Sequence, residues 1–286
     1  MPRGQLKALM QSRDLKLGHY VGEFVTPGIG YMLKEAGCGY AFVDMEHSAM
    51  GYDTLARVLR FMEAADLPTM VRVPSHAYDH IARALDLGAE GIVIPMLGTV
   101  DEARAVIRSM KYTPKGARGV APGLGNDLYR MRQVLDMFED SNHQTVFIPL
   151  IETQAGIDNI DKIAALEGVD CLWVGHFDLS CSMGIPGEFG NKRFIDAMAA
   201  VNKAGKHHGK ALGRLVGSTD EGIELAGRGW DFICYSGDVW LYQTALRQGL
   251  DAIREGVGAA PPKGGKVNAP HKKKKADSGK KKKKGN

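Results

Sequence analysis

Four places along the chain put charged or ionisable side chains directly after a run of apolar residues. AFVDMEHS ends in Asp44, Glu46 and His47, TMVRVPS carries Arg72, VFIPLIET ends in Glu152, and CLWVGHFDLS ends in His176 and Asp178. A guanidinium at the end of a buried run is costly unless an anion meets it, so Arg72 implies an acidic partner or an anionic ligand. Glu152 poses the complementary problem, because the run before it (146–151) offers no charged partner. Carboxylates converging from separate runs would suit a hard divalent cation, with open positions left for substrate oxygens.

Each of these residues also has a plainer reading. Arg72 could bridge Asp44 or Glu46 as a structural ion pair, and Glu152 could partner such an arginine. Asp178 could cap a short helix, and His47 could be a capping or core histidine. His176 and the tandem His207–His208 read as surface or supporting residues. The sequence contains no HExxH, GKS/T or GxSxG, so zinc-peptidase, P-loop and serine-hydrolase chemistries lack support. GVAPGLGN follows no strong strand and fits a dinucleotide-binding loop poorly.

The elements that must position these residues alternate. Strand candidates are 20–25, 40–44, 69–73, 91–95, 146–151, 171–175, 211–216 and 231–235. Between them lie amphipathic helical patterns, among them 54–65, 79–87 and 100–110. EAGCGY, LDLGAEG and LAGRGWD each end a helical pattern on glycine just before a strand, which is αβ-loop chemistry of a parallel sheet. Eight such units predict a closed (β/α)8 TIM barrel, with a doubly wound open sheet as the runner-up. In a barrel the residues after each strand line the site. The Gly- and Pro-rich stretch TPKGARGVAPGLG is expected to be a long loop covering that mouth.

Composition narrows the class further. The chain has 286 residues, 44% of them hydrophobic, and no apolar stretch long enough to span a membrane. The polar N-terminus lacks a signal-peptide core, and four cysteines without a CxxC pair suggest reduced thiols in a cytoplasmic protein. The net charge of +4 is uneven: residues 258–286 carry eleven lysines and one aspartate, or +10, which leaves the body at −6. We therefore read 1–257 as one folded domain and 258–286 as a disordered Lys-rich tail able to attract polyanions weakly.

The segments FVDMEHS (42–48), MVRVPS (70–75), LDLGAEGIVIPM (85–96), YTPKGARG (112–119), LIET (150–153) and VGHFDLSCSMG (174–184) resemble, in that order, the HpcH/HpaI aldolases, metal-dependent pyruvate aldolases. The resemblance implies a (β/α)8 barrel in a homo-hexamer, a dimer of trimers, with the C-terminal helix exchanged between subunits. It implies reversible cleavage of a 2-keto-4-hydroxy acid to pyruvate and an aldehyde. Glu152 and Asp178 match the carboxylates that hold Mg2+, Mn2+ or Co2+. Arg72 matches the arginine that stabilises the enolate, and His47 the general base. Asp86 matches the aspartate paired with that histidine, from across a subunit contact. Backbone N–H groups of Gly175, Phe177 and Asp178 would bind the pyruvate carboxylate. None of the strand candidates contains a lysine, which argues against an imine-forming aldolase.

Two departures bear on the aldehyde partner. His176-Phe177 stands where the family often has Pro-Ala, and Leu150 stands where some members have Gln. Two rivals stay open: a CoA-ester lyase of the malyl or citramalyl type, and a polyanion-binding protein acting through the tail of a decayed barrel.

Overall fold

The computed structural model describes residues 4–260. Eight strands occur in it: β1 (Lys16–Val21), β2 (Tyr40–Asp44), β3 (Thr69–Arg72), β4 (Gly91–Ile94), β5 (Val146–Ile151), β6 (Cys171–Val174), β7 (Ala211–Val216) and β8 (Phe232–Gly237). They pair in parallel and in chain order, and β1 also pairs with β8, so the sheet closes into a barrel. The helices are α1 (Gln5–Gln11), α2 (Ile29–Glu35), α3 (Tyr52–Ala64), α4 (Tyr78–Asp86), α5 (Val100–Met110), α6 (Val134–Gln144), α7 (Gln154–Asp158), α8 (Ile160–Ala164), α9 (His176–Ser182), α10 (Lys192–His207), α11 (Thr219–Gly227) and α12 (Asp238–Gly256). The fold is the TIM barrel that the alternation predicts. The chain divides into two units after Tyr242, within α12.

Side-chain parity divides the core into two layers, because successive residues of a strand face opposite sides of the sheet. Tyr40, Phe42, Met70, Ile148, Leu150, Cys171, Trp173, Phe232 and Cys234 fill the barrel interior. Their strand neighbours, such as Ala41, Val43, Val71, Phe147 and Leu172, pack outward against the helices. There they meet, for example, the Leu55, Val58, Leu59 and Met62 stripe of α3. Helix α1 plugs the end of the barrel where the strands begin, its buried Leu6 and Met10 joining the interior layer.

Two expectations need correction. First, β1 runs over Lys16–Val21 rather than 20–25. The amides of Gly22, Glu23 and Phe24 donate at 2.8–3.0 Å to the Asp238 carboxylate, so they cannot continue a ladder. Second, the earlier start brings a lysine into a strand. Lys16 opens β1, and its Nζ donates to Ser12 O at 2.6 Å beside the Phe232 ring. It therefore sits where the strands begin, at the end away from the residues that follow them. The glycine-rich segment expected over the mouth is held on one helix of the barrel wall. It follows a helix, α5, and so starts from the plugged end. Gly119 N donates to the Tyr78 hydroxyl and Arg118 pairs with Asp86, which lays the segment along α4. The Lys runs expected at 272–275 and 280–284 lie outside the described residues.

Candidate active site

The parity that fills the interior also delivers the charges. In β2 the inward series 40, 42 continues to Asp44, in β3 Met70 continues to Arg72, and in β5 the series 146, 148, 150 continues to Glu152. All three therefore enter the barrel at its C-terminal mouth. Cross-strand register sets Asp44 directly opposite Arg72. Arg72 donates to the fully buried Asp44 through Nε at 2.6 Å and Nη2 at 2.9 Å, and its Nη1 lies 3.1 Å from Glu46 Oε2. The structural ion pair considered for Arg72 is thus present with both acids at once. Asp44 also accepts the Tyr20 hydroxyl at 2.5 Å and the amides of Glu46 and His47 at 3.0 and 3.1 Å. Burial opposes ionisation of Asp44, but the hydrogen bonds and charge of Arg72, with Tyr20 and the Glu46 amide, outweigh it and bring the carboxyl below its ordinary value.

Glu152 has the opposite balance. It is only 3% exposed, and burial, followed by the charges of Asp178 and Glu46, pushes its carboxyl up to about 7 against the Met96 amide and Arg72. The Met96 N–H donates to Oε1 at 2.6 Å from a residue held at φ 53°, a left-handed conformation unusual outside glycine. Oε2 occupies the space that a side chain at position 175 would need. A Cβ on Gly175 would lie 2.2 Å from it, so only glycine leaves room for the carboxylate. Burial, with Asp44 and Asp178, likewise raises Glu46 against the pull of Arg72 and His47.

Asp178 lies exposed in the first turn of α9, whose cap residue is Gly175. The first N–H groups of any helix lack intrahelical acceptors, so those at 176–178 face outward from the helix start. Around the mouth, Asp44, Glu46, Glu152 and Asp178 stand against the guanidinium of Arg72, so acid outnumbers base in this group. Among the described residues no three or more His, Cys, Asp or Glu side chains are arranged to hold an ion. The donor set nonetheless fits a hard cation: the carboxylates of Glu152 and Asp178 offer oxygen-only ligands, and one of them, Glu152, is raised by burial and then by its acidic neighbours.

The other expected residues are placed unevenly. His47 is anchored through its backbone to Asp44, while its imidazole is exposed, with Nε2 3.7 Å from Glu46 Oε2. Asp86 ends α4 and pairs with the buried Arg118, so within one chain the structure does not bring it to His47. Phe177 is exposed, its ring 4.5 Å from His176 and 5.2 Å edge-on from Phe189. His176 is thereby drawn into an aromatic cluster, and burial, then the Arg214 charge, pulls its imidazole down to about 3. His208 pairs with Asp161 at 2.9 Å in the outer helical layer.

Sequence reasoning named Asp44 only as a possible ion-pair partner of Arg72, not as the point where five donors meet, and it missed the donor Tyr20. A signal existed for Asp44, an acid ending an otherwise apolar strand one unit before a strand that ends in arginine. Tyr20 carried none, since tyrosine in a strand is ordinary.

The sequence model of the HpcH/HpaI aldolase/citrate lyase family matches residues 31–243. A hydroxypyruvate/pyruvate aldolase of Paraburkholderia phytofirmans is 35% identical over 228 residues, 78% of this chain and 87% of that one. A 5-keto-4-deoxy-D-glucarate aldolase of Shigella boydii is 28% identical over 251 residues, 88% of this chain and 96% of that one. Among solved structures, an HpcH/HpaI aldolase from Desulfitobacterium hafniense superposes with a TM-score of 0.84 at 28% identity, covering 90% of this chain and 99% of its own.

Proposed function

This chain belongs to the HpcH/HpaI aldolase/citrate lyase family, and from that premise we propose how it works as a carbon–carbon lyase. It is an aldolase that cleaves a 2-keto-4-hydroxy acid reversibly to pyruvate and an aldehyde. The relatives named above are aldolases, which puts this reading ahead of a CoA-ester lyase. The observation that carries the site assignment is the surplus of carboxylates around Glu152, facing Arg72 at the barrel mouth.

Breaking the C3–C4 bond leaves its electron pair on the pyruvate fragment as an enolate, so the site must stabilise an oxyanion. Glu152 and Asp178 would hold Mg2+, Mn2+ or Co2+, and a divalent ion there supplies Lewis-acid charge stabilisation. Arg72 adds a fixed positive charge of its own. Its Nε and Nη2 are committed to Asp44, which leaves the Nη1 edge, near Glu46, to meet the oxyanion. His47, whose imidazole is open to solvent, takes the proton of the 4-hydroxyl in cleavage and returns it in condensation. Asp86 of a neighbouring subunit would orient that imidazole, which agrees with its position away from His47 in its own chain. The N–H groups of Phe177 and Asp178 at the α9 start, with Gly175 before them, receive the pyruvate carboxylate. Lys16, at the plugged end of the barrel, has no access to this chemistry.

No helix among the described residues is long and apolar enough to cross a membrane. We assign the enzyme to the cytoplasm, in keeping with its four free cysteines. We assign it a hexameric state with exchanged C-terminal helices. Within the second unit Leu246, Leu250 and Ile253 recur along one helix face and are exposed, which suits a helix that docks elsewhere. We keep 1–257 as the catalytic domain and 258–286 as a tail that binds polyanions weakly.

The test is a panel of 2-keto-4-hydroxy acids assayed for pyruvate release with Mg2+, Mn2+ or Co2+, before and after chelation. Release that needs the ion is expected. Turnover of acyl-CoA esters without pyruvate release would replace the reading with the lyase alternative.

A further inference from the structure

We propose that Tyr20 is a positioning residue of this site, the fixed point from which Asp44 sets the direction of the Arg72 guanidinium and of the Glu46–His47 backbone. The inference deepens the aldolase reading and rests on it. Five donors converge on Asp44. Oδ1 accepts from Arg72 Nε and Glu46 N, while Oδ2 accepts from Arg72 Nη2, His47 N and the Tyr20 hydroxyl. A carboxylate offers about four lone-pair sites, so the acceptor capacity of Asp44 is fully used. Four of these donors belong to groups that Asp44 itself orients, a long arginine side chain and the turn after β2. The fifth does not.

Tyr20 is held independently of Asp44. It is a residue of β1, its ring stacks 5.2 Å from Trp240 and 5.9 Å from Phe42, and its side chain is buried. Side chains at Gly22 or Gly237 would enter the ring, with Cβ atoms 2.7 and 2.8 Å from its carbons, so the ring fills a slot with no second placement. Its hydroxyl is neutral, and so it orients Asp44 without competing with Arg72 for the negative charge. Burial and the Asp44 contact both raise the phenol above its ordinary value, which keeps the proton on it throughout the working pH range. A neutral donor on a rigid strand thereby fixes an anion, which fixes a mobile cation at the reacting oxygen.

Tyr20→Phe in the full chain keeps the ring and removes the donor. Pyruvate release should fall about 10- to 100-fold in kcat, while KM and Mn2+ affinity stay near wild type. The double variant Tyr20→Phe/Asp44→Asn should lose no more than Asp44→Asn alone, because both act on one unit. In isotope-labelled protein, the Arg72 Nε–H resonance should be slow to exchange in the wild type and faster in Tyr20→Phe. A Tyr20→Phe enzyme with wild-type kcat and an unmoved Arg72 resonance, or losses that multiply in the double variant, would overturn the proposal. A wild-type protein inactive on every keto acid would instead sink the aldolase reading, and the Arg72 resonance would still decide the role of Tyr20.

Discussion

The two ends of the barrel are built from the same eight strands and treat charge in opposite ways. Where the strands begin, each cation has a local answer. Lys7 pairs with Asp170, Arg13 lies 2.8 Å from Asp231, and Lys16 donates to a carbonyl. Lys111 and Lys210 each donate to two backbone carbonyls at 2.8–3.0 Å. Asp170 and Asp231 also accept strand amides, from Phe147 at 3.0 Å and Leu212 at 2.6 Å, and the apolar face of α1 closes the opening. Where the strands end, four carboxylates stand with one guanidinium, which contacts two of them, and burial raises both Glu152 and Glu46. One end satisfies its charges. The other keeps an excess of acid that its own side chains do not neutralise, at the end of the barrel where such folds carry their sites.

This contrast can be broken at the mouth most forcefully. Glu152→Gln should lower pyruvate release by roughly 10³-fold, the upper range for loss of one preorganised electrostatic contact. The same variant should melt at a higher temperature than the ion-free wild type, because it removes a buried charge among like charges. A melting point below wild type would show that the acid excess is not a strain. Arg72→Ala should also abolish turnover, but it should destabilise by about 3–5 kcal/mol, since it strands the buried Asp44 without its partner. Denaturant unfolding reads that loss directly.

At the plugged end the expected effects are smaller and reversed in kind. Asp170→Asn weakens both the Lys7 contact and the Phe147 amide bond, and should cost about 1–3 kcal/mol of stability. Its kcat should match wild type. A substantial drop in kcat would mean that the two ends are coupled.

Titration tests one group at each end. Glu152 has a folded-state value of about 7 against an ordinary 4.5, so between those pH values the folded protein holds a proton that the unfolded chain has lost. Stability of the ion-free protein therefore falls as pH rises through that window. Lys111 is pulled by burial to about 8 from 10.5, so between those values the unfolded chain holds the extra proton and stability rises with pH. Melting curves across pH should lose the first slope in Glu152→Gln and the second in Lys111→Met. Unchanged slopes in the variants would remove these groups from the account.

Much of this was legible in the sequence, for a physical reason. Strands β2, β5 and β7 fall where expected; β2 and β5 are nearly continuous apolar runs, while β7 keeps its apolar pattern around Arg214. Arg72 and Glu152 stood out because charge at the end of such a run demands a partner. What escaped was set by residues remote along the chain. The end of β1 is decided by Asp238, more than two hundred residues later, which takes the amides a longer strand would have used. Composition marks the glycine-rich segment as a loop but not where it is held. Its anchors are Asp86 and Tyr78, at the two ends of α4. The role of Asp44 depends on strand register, which pairs it with Arg72 and which no single run discloses.

The most direct test of the acid excess is a Mn2+ titration followed by electron paramagnetic resonance, on wild type, Glu152→Gln and Asp178→Asn. The account predicts one tight ion per wild-type chain and loss of that binding in each variant, with folding intact. Mn2+ held equally well by all three proteins would contradict it.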